Sequence, residues 1–120
     1  MKAPVPIFRS FDAQAARAFY IDFLEFELLF EHRFQEDSPL YMGVRCGACE
    51  LHLSEHFGDG TPGSVIRIEV ADVAAMSARL LAKNYPNAKP GWQRQDWGWD
   101  EMSISDPAGN KLIFATPHTA

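Results

Sequence analysis

The chain begins the same short pattern twice, about sixty positions apart. In each copy an apolar, strand-like run ends in an aspartate: residues 5–12 read VPIFRSFD and residues 65–72 read VIRIEVAD. Each aspartate is placed to cap the helix that follows, because its carboxylate accepts from the unpaired N–H groups of a first helical turn. A long period that occurs twice predicts two copies of one supersecondary unit that cannot bury its apolar face alone. We therefore expect function to lie where two such copies, from one chain or from two, face each other.

Each half of the chain predicts the order strand, helix and three further strands. In the first half we expect strands near residues 4–9, 26–34, 39–45 and 49–55 and a helix over residues 13–24. In the second half we expect strands near residues 64–70, 92–96, 101–105 and 111–116 and a helix over residues 73–84. Helical and strand-like spacing of the apolar residues separates the two kinds of element. The fold class is therefore expected to be α+β.

The two predicted helices differ in how clearly an apolar face is marked. The first carries a continuous stripe with i, i+3, i+4 and i+7 spacing at Ala16, Phe19, Tyr20 and Phe23. The second carries only a partial stripe at Ala75, Met76, Leu80 and Lys83. Between the halves, residues 57–63 contain three glycines and one proline and are typical of a linker. We predict a single domain, residues 1–120, made of two modules at about residues 1–57 and 64–120.

Composition and charge restrict the class of protein and of partner. With 47% hydrophobic and 22% charged residues, the chain has the composition of an ordinary soluble domain. A net charge of −5 argues against nucleic acid as a partner and favours a cationic or neutral small ligand. No apolar run approaches the roughly 20 residues of a membrane helix, and the first residues lack the apolar segment of a signal peptide. We expect a cytoplasmic protein with no membrane partner.

Metal-ligating residue types occur, but not at the spacing of a metal site. Cys46 and Cys49 flank a Gly-Ala turn with no other cysteine in the chain, so we interpret them as small hydrophobes at a hairpin rather than as a redox or metal pair. Glu50 and His52 alternate with leucines and share one face of a predicted strand. Two ligands do not make a catalytic site. We expect His52 to line a cavity or pack in the sheet, and residues 55–56 to lie in a solvated linker.

Two other kinds of site have no motif in this sequence. No serine lies in a nucleophile elbow, and the glycines match no phosphate-binding fingerprint.

Three tryptophans form the most unusual cluster in the chain. Trp97 and Trp99 are expected to share a strand face, and Gly98 between them would let a flat ligand or another backbone approach closely. Aromatic faces bind planar rings and cations, and nearby Asp100 and Glu101 add negative charge. The alternative is packing in a core or dimer interface, which we expect for Trp92.

Several stretches resemble a known protein family. Residues 97–101 read WGWDE, residues 105–112 read SDPAGNKL, and residues 16–26 follow the pattern AxxFYxDxLxF. With these motifs the chain resembles, nearly end to end, the bleomycin resistance protein family. That family belongs to the vicinal oxygen chelate superfamily, alongside glyoxalase I, extradiol dioxygenases and fosfomycin-resistance enzymes.

The resemblance implies a glyoxalase-like fold and a way of acting. Paired βαβββ modules would form a curved mixed sheet, in agreement with the sixty-residue repeat, in a homodimer whose pockets lie at the subunit interface. Members of this branch sequester the drug without altering it. By the same resemblance, Trp97 would stack on the planar part of the drug with Tyr41 as a second aromatic, and Ser54 and Gly109 would line the pocket.

The resemblance also bears on catalysis. Metal-dependent relatives take one ligand from the first strand of each module and one from a later strand. In this chain those positions fall near Pro4 or Pro6, His52, Val65 and Ile113, of which only His52 could bind a metal. Without three of the four ligands the Lewis acid of such chemistry is lacking. The resemblance thus implies a protein that is not an enzyme and carries no metal or other cofactor.

Arg67 departs from the family pattern. It stands where the bleomycin-binding branch carries another pocket tryptophan, and it would repel a polycationic drug. It could pair with Glu69 or Glu50 across the sheet, or bind a carboxylate on a different ligand.

We therefore predict a homodimer that sequesters a planar, cationic antibiotic of the bleomycin group and confers resistance. One alternative is a metal-dependent lyase, isomerase or dioxygenase of the same superfamily, using His52 with Glu50 or Glu101. Another is a structural or regulatory dimer in which the tryptophans form the interface. The candidate ligand-binding residues are Trp97, Tyr41, Ser54, Gly109, Trp99, Glu101, His52 and Arg67.

Overall fold

Each half of the chain folds as strand, helix and three strands, as the sequence predicts. The computed structural model describes residues 1–118. The strands are β1 (Ile7–Arg9), β2 (Glu27–His32), β3 (Tyr41–Cys46), β4 (Cys49–Ser54), β5 (Val65–Glu69), β6 (Trp92–Arg94), β7 (Trp99–Ser105) and β8 (Lys111–Pro117). The helices are α1 (Ala13–Arg17), continued by a π-helical segment (Ala18–Phe23), and α2 (Val73–Ala82). None of the helices in this part of the chain is long and apolar enough to cross a membrane.

The strands form two four-stranded sheets with the same order of strands. The first sheet has the order β1-β4-β3-β2 and the second has the order β5-β8-β7-β6. In each sheet the first strand of the repeat pairs in parallel and the remaining pairs are antiparallel. The predicted α+β class with two βαβββ modules is thereby confirmed.

The chain divides into two compact units that follow these sheets. The first unit comprises Met1–Ser64 together with Asp106–Asn110, and the second comprises Val65–Ser105 together with the stretch that starts at Lys111. The turn between β7 and β8 therefore belongs to the first unit, although it lies in the second repeat of the sequence.

Both predicted helix caps are present. The Oδ1 atom of Asp12 accepts hydrogen bonds from the backbone N–H groups of Gln14 at 3.0 Å and Ala15 at 3.2 Å. The Oδ1 atom of Asp72 accepts from the N–H of Ala75 at 3.0 Å. Because the first N–H groups of a helix have no partner within it, these carboxylates define where α1 and α2 begin.

The first helix widens after one and a half turns. The sequence predicts one α-helix over residues 13–24, whereas the structure changes to π-helical geometry at Ala18, with Leu24 N–H bonded to the Phe19 carbonyl at 2.9 Å. All the residues of the predicted apolar stripe are buried, at Ala16, Phe19, Tyr20 and Phe23. The Phe19 and Tyr20 rings meet edge to face at 4.9 Å. The wider turn brings these consecutive rings into the same core.

Of the partial stripe predicted for α2, Leu80 is fully buried, Met76 and Lys83 are half-buried and Ala75 is exposed. The buried residues of this helix are Val73, Ser77 and Leu80, with i, i+4 and i+7 spacing. Ser77 reads as a surface residue, but its hydroxyl donates to the Pro90 carbonyl at 2.8 Å and so tolerates burial. The hydrophobic pattern could not reveal this bond, because the partner lies outside the helix.

A buried hydrogen-bond network holds the turn at residues 106–110 in the first unit. The hydroxyl of Tyr20 donates to Oδ2 of Asp106 at 2.6 Å, and Oδ1 of Asp106 accepts from the N–H groups of Ala108 and Asn110 at 2.9 Å each. The Asn110 amide donates to the Arg9 carbonyl at 2.9 Å. Burial and the nearby Asp106 carboxylate raise the pKa of Tyr20, so the phenol remains a donor. The network ties the turn to α1 and β1.

We predict that Tyr20→Phe lowers the free energy of unfolding by about 1.5–3 kcal/mol, because it removes a hydrogen bond to a charged group. Urea denaturation of Tyr20→Phe, Asp106→Asn and the double variant measures this loss and the coupling between the two side chains. Strictly additive losses would show that the two side chains do not stabilise each other.

Candidate functional site

Alternation along β3 and β4 separates an apolar face from a polar and aromatic one. Met42, Val44, Leu51 and Leu53 are buried in the core. The opposite face, called the site face below, carries Tyr41, Gly43, Arg45, Glu50, His52 and Ser54. The antiparallel register places Gly43 opposite His52 and Tyr41 opposite Ser54. Side chains from two strands therefore converge on one surface.

Three side chains of the site face form a hydrogen-bonded chain. His52 Nε2 lies 2.7 Å from Glu50 Oε2, and His52 Nδ1 lies 2.7 Å from the Tyr41 hydroxyl. An ionised carboxylate only accepts hydrogen bonds, so Nε2 of His52 carries a proton. Burial, Asp59 and Glu50 raise the pKa of Tyr41, and its phenol stays protonated. The arrangement is called the Glu50–His52–Tyr41 chain below.

Phe30 packs against two rings of the Glu50–His52–Tyr41 chain, those of Tyr41 and His52. Its ring is stacked on Tyr41, with centroids 6.1 Å apart and planes 9° apart, and meets His52 edge to face at 5.3 Å. A β-bulge between Leu28 and Phe30 shifts the register of β2 against β3. A Cβ atom at Gly43 would overlap the Phe30 ring, so only glycine leaves room for it there.

A cavity of about 630 Å³ opens beside these rings within the first unit. Its walls are Phe30, Glu31, His32, Phe34, Tyr41, His56 and Asp59. Phe34 meets His32 edge to face at 4.8 Å and His56 at 5.8 Å. The volume lies in the range of small-molecule sites, and the predominantly aromatic wall is typical of them.

The polar groups of the cavity differ in how far they are already paired. Glu31 accepts from the guanidinium of Arg17 at 2.7 Å. Asp59 accepts from the Ser54 hydroxyl at 2.9 Å, and in residues 1–118 no cationic side chain pairs with it. Nε2 of His56 is buried and has no hydrogen-bond partner in the same part of the chain. The cavity thus retains one carboxylate without a counter-ion.

The prediction that residues 55–56 lie in a solvated linker is wrong. The His56 ring is part of the cavity wall, and Glu55 Oε1 accepts from the Leu40 N–H at 3.0 Å. The loop folds back over β1 so closely that a Cβ atom at Gly60 would lie 2.9 Å from the Ile7 carbonyl oxygen. The glycines predict a loop correctly, but they do not indicate where a loop packs.

The second unit contains a separate cluster around Glu101. Arg67 Nη2 lies 2.7 Å from Glu101 Oε2, and the indole N–H of Trp97 donates to the same oxygen at 3.0 Å. The Arg67 guanidinium lies 4.9 Å from the ring centroid of Trp99. The hydrogen bonds from Arg67 and Trp97 lower the pKa of Glu101. Arg67 thus pairs with Glu101 rather than with either of the glutamates considered from the sequence.

The neighbouring carboxylate of the second unit is also paired. Asp100 accepts from Arg94 at 3.0 and 3.3 Å, and the hydrogen bond from Arg94 lowers the pKa of this carboxyl group. Glu101 and Asp100, which the sequence suggests as partners for a cationic ligand, therefore each face an arginine of their own unit.

The eight candidate residues fall equally into the two units. The first unit holds Tyr41, His52, Ser54 and Gly109, and the second holds Trp97, Trp99, Glu101 and Arg67. Tyr41 and His52 are in contact, Ser54 reaches the cavity through Asp59, and Gly109 has a φ of 90° in the turn at residues 106–110. In the second unit all four candidates belong to the Glu101 cluster.

Of the cavity wall, the sequence analysis identified Tyr41 but missed the other aromatic side chains and the Asp59 carboxylate. Phe30, His32 and Phe34 alternate with a period of two, and this pattern could have placed them on one strand face. Asp59 had no comparable signal, since it reads as an ordinary loop residue.

The side chains present do not fit the divalent metal that metal-dependent relatives of the family bind. In residues 1–118 no three His, Cys, Asp or Glu side chains converge in a metal-binding arrangement. Both ring nitrogens of His52 are engaged by Glu50 and Tyr41. Cys46 and Cys49 are free thiols that face each other across the predicted hairpin turn.

Comparison with known structures gives the same fold. Lactoylglutathione lyase from Agrobacterium tumefaciens is 21% identical with a TM-score of 0.73, over 97% of this chain and 94% of that one. The antibiotic-binding protein TnmS3 from a Streptomyces species is 23% identical with a TM-score of 0.68, over 97% of both chains. A bleomycin-binding protein in complex with bleomycin is 20% identical with a TM-score of 0.69, over 98% of this chain and all 100% of that one.

At these identities the solved structures show a common fold and no more, and no curated protein sequence matches the chain. A family model described as "Glyoxalase superfamily protein" matches residues 1–119, which is nearly the whole chain. The superfamily to which the sequence motifs pointed is thereby confirmed, and the chain belongs to the glyoxalase superfamily.

Proposed function

We propose that this protein binds a planar, cationic small molecule and sequesters it without chemical change, with antibiotics of the bleomycin group as the candidate ligands. The observation that carries the proposal is the cavity in the first unit. It combines an aromatic wall with Asp59, a carboxylate that has no cationic partner within residues 1–118.

The wall suits a flat aromatic ligand. The rings of Phe30 and Tyr41 are stacked with planes 9° apart, and both side chains line the cavity. Phe34 is 75% exposed and free to cover a bound ring from a second side. Aromatic pairs contribute about 0.5–1.5 kcal/mol beyond the burial of their area, and the nearby Asp59 charge adds attraction for a cation.

Two fold neighbours support this choice of ligand. One is a bleomycin-binding protein complexed with bleomycin, and another is described as an antibiotic-binding protein. The homodimer that the family resemblance implies is part of the proposal. We propose one drug molecule for each subunit.

Binding without catalysis is proposed on the chemistry of the donors. His52, the one candidate ligand at a superfamily metal position, is held by Glu50 and Tyr41. A metal ion would have to replace one of these hydrogen bonds before it could bind a ring nitrogen of His52.

Calorimetric titration of metal-free and copper-loaded bleomycin into the purified protein, with elemental analysis of the same sample, tests the proposal. We expect micromolar or tighter binding, two drug molecules per dimer and no stoichiometric metal. Absence of binding would exclude the bleomycin group as ligand, and one divalent metal per chain would favour the lyase, isomerase or dioxygenase alternative.

We predict that Phe34→Ala weakens drug binding by about tenfold, because a stacking face of the cavity is lost. Its side chain is 75% exposed, so the fold should be unaffected. Phe57→Ala is the matched control, since Phe57 is 98% exposed and does not line the cavity. Equal affinities of the two variants would contradict a binding role for the cavity wall.

We also predict that Trp97→Ala removes most of the affinity for bleomycin and leaves the protein folded, as the resemblance implies. Trp97 is 64% exposed, and Arg67 remains paired with Glu101 when the indole is lost. Trp92→Ala serves as control, because Trp92 is also exposed but lies outside the Glu101 cluster. Unchanged binding by Trp97→Ala would assign the stacking to the cavity of the first unit alone.

A further inference from the structure

We propose that Glu50 and His52 fix the Tyr41 hydroxyl as a hydrogen-bond acceptor toward the cavity, so that the site selects cations that carry an N–H donor over fully N-alkylated cations. The inference rests on the proposed binding of a planar cation in this cavity. It adds which chemical group of the ligand must face Tyr41.

The direction of the hydrogen bonds follows from the end of the chain at Glu50. The carboxylate accepts, so the proton of His52 lies on Nε2, 2.7 Å from Glu50 Oε2. An imidazole with one proton then has a lone pair on Nδ1. With His52 in this singly protonated form, the Tyr41 hydroxyl, 2.7 Å from Nδ1, donates its single proton to that lone pair.

Once its proton is engaged, Tyr41 offers a ligand only oxygen lone pairs. The contacts of Phe30 with the Tyr41 and His52 rings hold both rings in place, so the hydroxyl oxygen stays within hydrogen-bond distance of Nδ1. Burial and the nearby Asp59 and Glu50 carboxylates raise the pKa of Tyr41, so this oxygen stays uncharged. Tyr41 therefore acts as a neutral acceptor.

A second oxygen acceptor lies in the same cavity wall. Asp59 receives one hydrogen bond from Ser54 and has no cationic partner in residues 1–118. A ligand ammonium, amidinium or guanidinium with two or more N–H groups can donate to both acceptors, and its positive charge pairs with the Asp59 carboxylate. A quaternary ammonium brings the same charge but leaves the Tyr41 oxygen without a donor. Where the bound ligand displaces water from that oxygen, an acceptor that gains no donor lowers affinity.

The test uses two cations with the same ring and charge that differ only in N-methylation. Protonated naphthylmethylamine has three N–H donors, enough for both Tyr41 and Asp59, whereas the naphthylmethyl-trimethylammonium ion has none. We expect calorimetry at pH 7 to show that the wild-type protein binds the first about tenfold more tightly. In Tyr41→Phe, which keeps the ring and removes one of the two acceptors, this affinity ratio should fall.

The positioning role of Glu50 has its own variant. In Glu50→Gln the side-chain amide can donate to Nε2 of His52, which moves the imidazole proton to Nδ1 and frees the Tyr41 O–H to donate to the ligand. The affinity ratio should then fall, and ¹⁵N chemical shifts of the His52 ring should report the change of tautomer. Glu27→Gln is the matched control, because it removes the same charge from a side chain that is 71% exposed; its ratio should equal that of the wild type.

The outcomes separate this inference from the proposed function. If both cations bind the wild-type protein equally, or if Tyr41→Phe keeps the full ratio, the inference is overturned while binding in the cavity stands. A preference for the trimethylammonium ion likewise overturns it. If neither cation nor bleomycin binds, the proposed function and the inference fall together.

Discussion

A two-residue turn sets the register between β3 and β4, and that register decides which side chains can meet on the site face. Cys46 and Cys49 are partners across the turn, and Gly47 has a φ of 58°, a backbone conformation that favours glycine. From this fixed end, Gly43 falls opposite His52, with Tyr41 two residues further along β3. A slip of one residue would move one strand's site residues to the core face. The Glu50–His52–Tyr41 chain and the space that Gly43 leaves for the Phe30 ring both depend on this pairing.

Local features of the fold could be predicted because they depend on residues close in sequence. Asp12 and Asp72 cap the helices that follow them, and the order of elements agrees with the observed strands and helices. The π-helical segment and the buried face of α2 could not be predicted in the same way. Each depends on a partner elsewhere, such as the Pro90 carbonyl that accepts from Ser77. Periodicity describes which side of an element is apolar, but it does not describe what a polar residue will meet.

The candidate site shows the same division. Alternation along β4 placed Glu50 and His52 on one face, but the contact of His52 with Tyr41 also needs the register of β3. Asp59 reaches the cavity through a loop, so no regular period marks it. Arg67 and Glu101 lie on β5 and β7, strands that are separated in the sheet by β8, and their pairing follows from the strand order rather than from spacing in sequence. Contacts between strands that are not neighbours in the sheet therefore cannot be predicted from the spacing of residues along the sequence.

The two units share a strand order but differ in how the carboxylates of their candidate residues are paired. In the second unit, Glu101 and Asp100 are each paired with an arginine, whereas in the first unit Asp59 has no such partner within residues 1–118. A duplicated scaffold can thus divide two tasks that conflict in a single copy. Under the proposed function, one unit holds the paired carboxylates and the other holds the charge that a cationic ligand would meet. Changes of ligand preference could then accumulate in the first copy without disturbing the ion pairs of the second.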